Sequence, residues 1–370
     1  MAKIKEFLKR KNIVFTLQRY GIDALGAMAQ GLFCTLLVGT ILNTLGQQLN
    51  IGFLNEAIVT IKDATGVNQI SYTIGGLASA MVGPGIAIAI GFALKCPPLV
   101  LFSLIPVGFA ANAMGGAGGP LAVYVIAILA SECGKIVSKE TKIDILVTPI
   151  VTILAGIGAA SVIAAPIGAA ASAVGTAVRW ATVQQPFIMG ILVSALVGIA
   201  LTLPISSAAI CAALTLTGLA GGAAVAGCCA QMVGFAVMSF KENRWGGLVA
   251  QGVGTSMLQM PNIVKNPRIW IPPTLASMIT GPIATCIFKL EMNGAPVSSG
   301  MGTCGFVGQI GVYTGWVSDI AAGTRIAISA MDWAGLVLIC FVLPAVLSVL
   351  FCNILRRIGW IKEGDLKLDL

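Results

Sequence analysis

Asn293-Gly-Ala-Pro-Val-Ser-Ser-Gly-Met-Gly-Thr-Cys-Gly305 interrupts a chain that is otherwise 57% hydrophobic and only 10% charged. Gly, Pro and paired Ser break a helix here and free backbone N–H and C=O groups at or near membrane depth. Lipid cannot satisfy such groups, so irregular backbone survives there only when it is buried in protein or lines a cavity. The stretch is therefore the first place to expect a bound solute. With its continuation Gly308-Gln309 it offers Asn293, Ser298, Ser299, Thr303 and Gln309 as neutral donors and acceptors. Such groups suit a polyhydroxy compound or a small anion. A surface loop with no ligand is the plainer alternative.

The surrounding chain sets that break in a bilayer. Mean hydropathy is +0.95, and apolar residues come in runs of roughly 17 to 25, the length a membrane helix needs. An ordinary soluble domain is excluded. A transmembrane barrel would show alternating segments instead. The reading is an all-α polytopic membrane protein with about ten membrane elements, some of them re-entrant hairpins. The first 20 residues are not a cleavable signal, because the apolar patch Ile13–Leu17 is too short for one.

The formal charge of +8 sits largely beside the spans. Lys3, Lys5, Lys9, Arg10 and Lys11 precede the first, and Arg356, Arg357 and Lys362 follow the last. By the positive-inside rule both termini are cytoplasmic, and nucleic-acid binding is set aside. The expected organisation is a cytoplasmic basic amphipathic helix over 1–20, with Ile4, Phe7, Leu8 and Val14 on its apolar side. A transmembrane domain follows over 21–356, then a cytoplasmic tail over 357–370.

Between these limits Gly21–Leu45, Ile70–Ala93, Pro98–Met114, Leu121–Val137 and Ile143–Ala164 read as spans. Ile51–Thr65 is half-polar and reads as a connection. Pro166–Val178, built almost wholly of Ala, Gly, Ser and Val, suits a re-entrant or protein-buried segment. Ala208–Phe240 reads as one tilted helix, or as two broken at Gly221-Gly222. Trp333–Leu355 is the final span. An internal repeat is suggested by an echo at an offset of 126 residues: Lys142-Ile143-Asp144-Ile145 with Thr148 against Arg268-Ile269-Trp270-Ile271 with Thr274.

Other polar residues inside apolar sequence are further candidates. Glu132 either faces a cavity or pairs with Lys135 at i+3. Gln251, Gln259 and Asn262 are spaced to share a helix face, where they would bind hydroxyls or join helices. Asn112 has the same two readings. Chemistry beyond recognition finds no support. The chain has no His, which excludes Ser-His-Asp and Cys-His catalysis. It has no phosphate-loop signature, and its ten Cys read as apolar filler rather than metal ligands. No cofactor is expected.

At Gly300-Met-Gly-Thr-Cys-Gly-Phe-Val-Gly-Gln309 the chain resembles the membrane IIC components of the bacterial phosphotransferase system, in the subgroup that includes perfringolysin-regulator-like proteins. The likeness extends over most of the chain. It implies a helical permease of the bacterial cytoplasmic membrane, commonly a homodimer, that carries a sugar-like solute by alternating access. Phosphorylation would fall to separate IIB and IIA proteins. Two features depart from the pattern. Many sugar-specific IIC proteins place a His beside a Glu at the sugar, and this chain has none; only a short tail follows its last span. A membrane sensor on the same scaffold, or an ion-coupled carrier of organic anions without phosphotransfer, therefore stays open.

Overall fold

The computed structural model describes residues 2–48, 50–62 and 69–368, in two compact units, 1–168 and 169–370. Both are helical. Among the described residues five helical stretches are long and apolar enough to cross a membrane, six with one bent pair counted as a single span. The sequence suggested about ten elements because several apolar runs fold as short or broken helices rather than as whole spans.

In the first unit, α1 (Ala2–Arg10) ends where Asn12 takes a positive φ of 54°. The amphipathic helix is thus shorter than the 20 residues expected, and the side chain of Ile4 lies outside the described residues. α2 (Gln18–Gln47) is the first long apolar helix. A helical turn at Gly52–Asn55 and an antiparallel hairpin, β1 (Val59–Lys62) with β2 (Gln69–Tyr72), occupy the half-polar connection. Asp63, Ala64 and Thr65 lie outside the described residues.

Ile70 belongs to β2, so the expected span from Ile70 to Ala93 begins later. It is α3 (Ile74–Ala80) and α4 (Val82–Ala93), bent by 53°. α5 (Pro98–Gly115) and α6 (Gly119–Val137) form a hairpin that turns at Gly116 with φ 52°. α7 (Asp144–Thr182) runs unbroken through Pro149 and Pro166. The small-residue segment 166–178 is therefore a continuous part of α7, not a re-entrant element. Both prolines are tolerated because neighbouring groups can take up the freed backbone positions in a membrane helix.

The second unit is built around α10 (Gly218–Met238), whose apolar window is 94% buried, against 22% for α7. α8 (Pro186–Thr202) and α13 (Ile271–Pro282, continued as a π turn to Ile287) pack on it, as does α15 (Ala330–Arg357). The sequence of α10 is nearly all Gly, Ala, Val and Cys on its buried side. Small side chains let neighbouring backbones approach closely, the usual basis of packing in lipid. A Cβ at Gly222 would lie 1.7 Å from the Leu290 carbonyl, and one at Gly227 1.9 Å from that of Ser194.

Between these helices lie α9 (Ser207–Ala213), α11 (Phe240–Val249), α12 (Met260–Lys265) and α14 (Val307–Ala321). The break before α10 falls at Leu214–Thr217, not at Gly221-Gly222, which sit inside the helix. Thr215 (φ 48°) and Gly218 (φ 64°) make the turn. The residues of the 126-residue echo open α7 and α13, while the segments before them differ: α6 is continuous, whereas 250–265 is a π turn, a 3-10 turn and the short α12.

Candidate functional site

Two chain breaks meet at the N-terminus of α10. The first is Leu203–Thr217, carrying Pro204-Ile205-Ser206-Ser207. The second is the expected break after α13, carrying Pro296-Val297-Ser298-Ser299 in a 3-10 turn. Ser207 Oγ donates to the Gly300 carbonyl at 2.8 Å, and Ser299 Oγ to that of Leu216 at 2.6 Å. Gly218 and Met292 exchange both backbone hydrogen bonds at 3.0 Å. Freed backbone groups in each break are thus taken up by the other, as buried non-helical backbone requires.

The helices leading into the breaks obey an internal symmetry. Ser194 Oγ on α8 donates to Ser277 O on α13, and Thr285 Oγ1 donates back to Pro186 O, both at 2.8 Å. Between them Gly190 and Gly281 touch, a Cβ on Gly281 lying 2.1 Å from the Gly190 carbonyl. Along one helix the partners rise in number as along the other they fall, so the helices are antiparallel. Ser194, Gly190 and Pro186 also each precede Thr285, Gly281 and Ser277 by the same 91 positions. Reciprocal contacts of this kind follow from the antiparallel pairing itself. The two Pro-Ile/Val-Ser-Ser turns are 92 positions apart, and Gly218-Leu-Ala-Gly221 answers Gly305-Phe-Val-Gly308, with Gly218 and Gly305 both at positive φ.

Beside the second break opens a cavity of about 430 Å³ lined by Glu291, Asn293, Asp319, Thr324 and Arg325. Asn293 fixes its geometry. Its Nδ2 donates to Asp319 Oδ2 at 2.8 Å and to Glu291 Oε2 at 3.3 Å, while its Oδ1 accepts from Gly218 N at 3.1 Å. Arg325 pairs with Asp332 and lies 5.2 Å from the ring of buried Trp316. Two carboxylates, an amide, a hydroxyl and a guanidinium line the cavity together. Such a set can accept hydrogen bonds from vicinal hydroxyls and donate to ring or carbonyl oxygens.

The other expected residues are placed differently. Ser298, Ser299, Thr303 and Gln309 are buried in the seam against α9, α10 and α14 rather than on the cavity wall. Thr303 Oγ1 donates to Met232 Sδ at 3.5 Å, and Gln309 Nε2 to Cys229 Sγ at 3.1 Å. Gln309 Oε1 is buried without a partner. Asn112 and Glu132 belong to the first unit, at opposite ends of the α5–α6 hairpin. Asn112 packs against Gly83 and Gly119. Glu132 pairs with Lys135 at 2.7 Å, and both are buried.

Gln251, Gln259 and Asn262 do come together, but not on a helix face, since the chain breaks at Thr255 between them. Gln259 Nε2 donates to Gln251 Oε1 at 2.8 Å and Asn262 Nδ2 to Gln259 Oε1 at 2.9 Å. The same two amides also donate to the carbonyls of Leu366 and Lys367, and Asn243 holds Leu366 and Leu368. Their hydrogen-bonding capacity is spent on clasping the tail.

Asp319, Thr324 and Arg325 were not singled out from sequence, nor was the first Pro-Ile-Ser-Ser turn. Its recurrence 92 positions later was the available signal.

Residues 22–368 match the family described as phosphotransferase system, EIIC. The chain belongs to the EIIC family. No curated protein and no solved structure matches it. Membership makes this EIIC chain a multi-pass membrane permease of the phosphotransferase type, acting on a small solute in a lipid bilayer in a system with IIB and IIA partners. The narrower likeness to perfringolysin-regulator proteins is not part of that match.

Proposed function

We propose that this EIIC chain binds a sugar or similar polyhydroxy solute in the cavity of Glu291, Asn293, Asp319, Thr324 and Arg325, and translocates it by alternating access. The observation that carries the reading is this polar cavity beside the place where two chain breaks meet, breaks that we read as the halves of an inverted repeat. Transporters with such repeats bind substrate where broken helices meet, and exchange access by moving one packed body against another. Carboxylates held by an amide favour a neutral hydroxyl-rich ligand over an anion, because an anion would meet Glu291 and Asp319. Recognition belongs to this chain and phosphoryl transfer to separate IIB and IIA proteins. A homodimer in the bacterial cytoplasmic membrane, with both termini inside, is the assembly that fits this role, and the perfringolysin-regulator-like subgroup is the relation that the glycine-rich motif favours.

Uptake by the purified chain in proteoliposomes tests the proposal. Asn293→Ala is expected to weaken solute binding about tenfold or more, because Glu291 and Asp319 lose the amide that positions them, with the folded fraction unchanged. Ser299→Ala, in the packed seam, is expected to lower stability rather than affinity. Binding without flux would point instead to a sensor, and unchanged affinity in Asn293→Ala would remove the cavity from the mechanism.

A further inference from the structure

A second cavity, of about 320 Å³, lies in the first unit where α1, α5 and α6 begin or end. Arg10, Lys11, Lys95, Lys135 and Lys139 line it, with Glu140 as the one carboxylate on its wall. Arg19 stands behind it, donating to Asn12 Oδ1 at 3.1 Å. These six cations face three carboxylates in reach. Glu140 takes Arg10 at 2.7 Å and Lys11, and Glu132 takes Lys135. Asp144 is spent on Lys139 N and Thr148 Oγ1. Three positive charges remain uncompensated. Lys95 and Lys139 have no side-chain partner among the described residues, and both sit at positive φ, 54° and 61°, in the turns that rim the cavity.

The cavity also has a definite depth. Lys95 and Pro97 immediately precede α5, and Ser138 to Glu140 immediately follow α6, so both flank the same end of one apolar hairpin. That is the level at which the chain leaves the hydrocarbon. Phe15 and Leu17, just beyond α1, are 74% and 70% exposed, as side chains meant for lipid would be. Charges serving only membrane topology would point singly into water. Here five of them converge on one half-open cavity, and converging cations attract a compact oxyanion strongly.

We infer that this cavity is a binding site for a phosphate oxyanion, either the phosphodiester of an anionic lipid headgroup or a free phosphate group. Lysine ammonium groups act there as point charges, drawn to anionic lipid when they lie at the membrane surface. The site is independent of the polar cavity in the second unit and stands if that reading fails.

The test uses the full chain in phosphatidylcholine nanodiscs. Thermal unfolding is followed as phosphatidylglycerol is introduced and, separately, as inorganic phosphate is added against chloride at equal ionic strength. A saturable rise in melting temperature with phosphatidylglycerol alone assigns the lipid phosphodiester, and one with inorganic phosphate assigns the free group; either supports the site. Lys95→Asn and Lys139→Asn remove charge while keeping a residue that accepts positive φ. Singly or together they should raise the half-saturating concentration, about tenfold or more for the pair, with the melting temperature in pure phosphatidylcholine unchanged. No saturable response to either probe, or an equal response in the variants, overturns the inference.

Discussion

Lys135 is 1% exposed and depends on Glu132 for its charge compensation. Removing one partner of a buried pair strands the other, at a cost of about 3–5 kcal/mol, whereas replacing both with apolar groups is often neutral. Glu132→Gln is therefore expected to destabilise the first unit by that amount in detergent unfolding. Glu132→Leu with Lys135→Met should recover most of the loss. A smaller effect follows at Glu140, whose carboxyl is held below its ordinary value of 4.5, first by the hydrogen bond from Lys11 and then by Arg10. A depressed carboxylate stabilises the fold above its unfolded value, and the gain is lost as pH falls through the lower folded value. Glu140→Gln should thus flatten the decline in melting temperature below about pH 4.5 by lowering it slightly at neutral pH, while acid values stay nearly unchanged. The Glu132–Lys135 pair was legible because helical spacing alone brings i and i+3 together. Asp319 was not, because its partner Asn293 lies 26 positions away across a turn that no periodicity reports.

At the scale of elements, small residues decide what is a helix partner and what is merely a helix. Gly222→Ala would drive a methyl into the Leu290 carbonyl and is expected to cost about 1–3 kcal/mol, the usual penalty for overpacking. A methyl added at Gly158 in α7 would meet nothing within 4 Å, so Gly158→Ala should be neutral or stabilise by about 0.5–1 kcal/mol. Equilibrium unfolding of the pair separates the two environments, and equal effects would contradict the packing described. Hydropathy found α2, α5, α6 and α15 within a few residues because length and apolarity suffice for them. It merged α9 with α10 and split 166–178 from α7. Both depend on local backbone turns and on packing partners, which a run of Ala and Gly does not encode.

For the whole molecule, the bilayer reading and the EIIC resemblance were available from composition and the glycine-rich motif. The two Pro-Ile/Val-Ser-Ser turns were written in the sequence too, but were too short to stand out until contacts paired them. The clasp on residues 366–368 was not readable at all, since its carbonyl acceptors are backbone atoms more than a hundred positions from their amides. That clasp bears on how the chain is made. Gln259, Asn262 and Asn243 cannot complete their hydrogen bonds until Leu366 to Leu368 have left the ribosome, long after α10 and α13 have entered the membrane. The second unit should therefore close late, as a chain already inserted but still open on one face. Released chains truncated before residue 360 are expected to remain protease-sensitive around 243–262, and those that include 366–368 to be resistant. Residues 366–368 act as a lock on an otherwise finished unit.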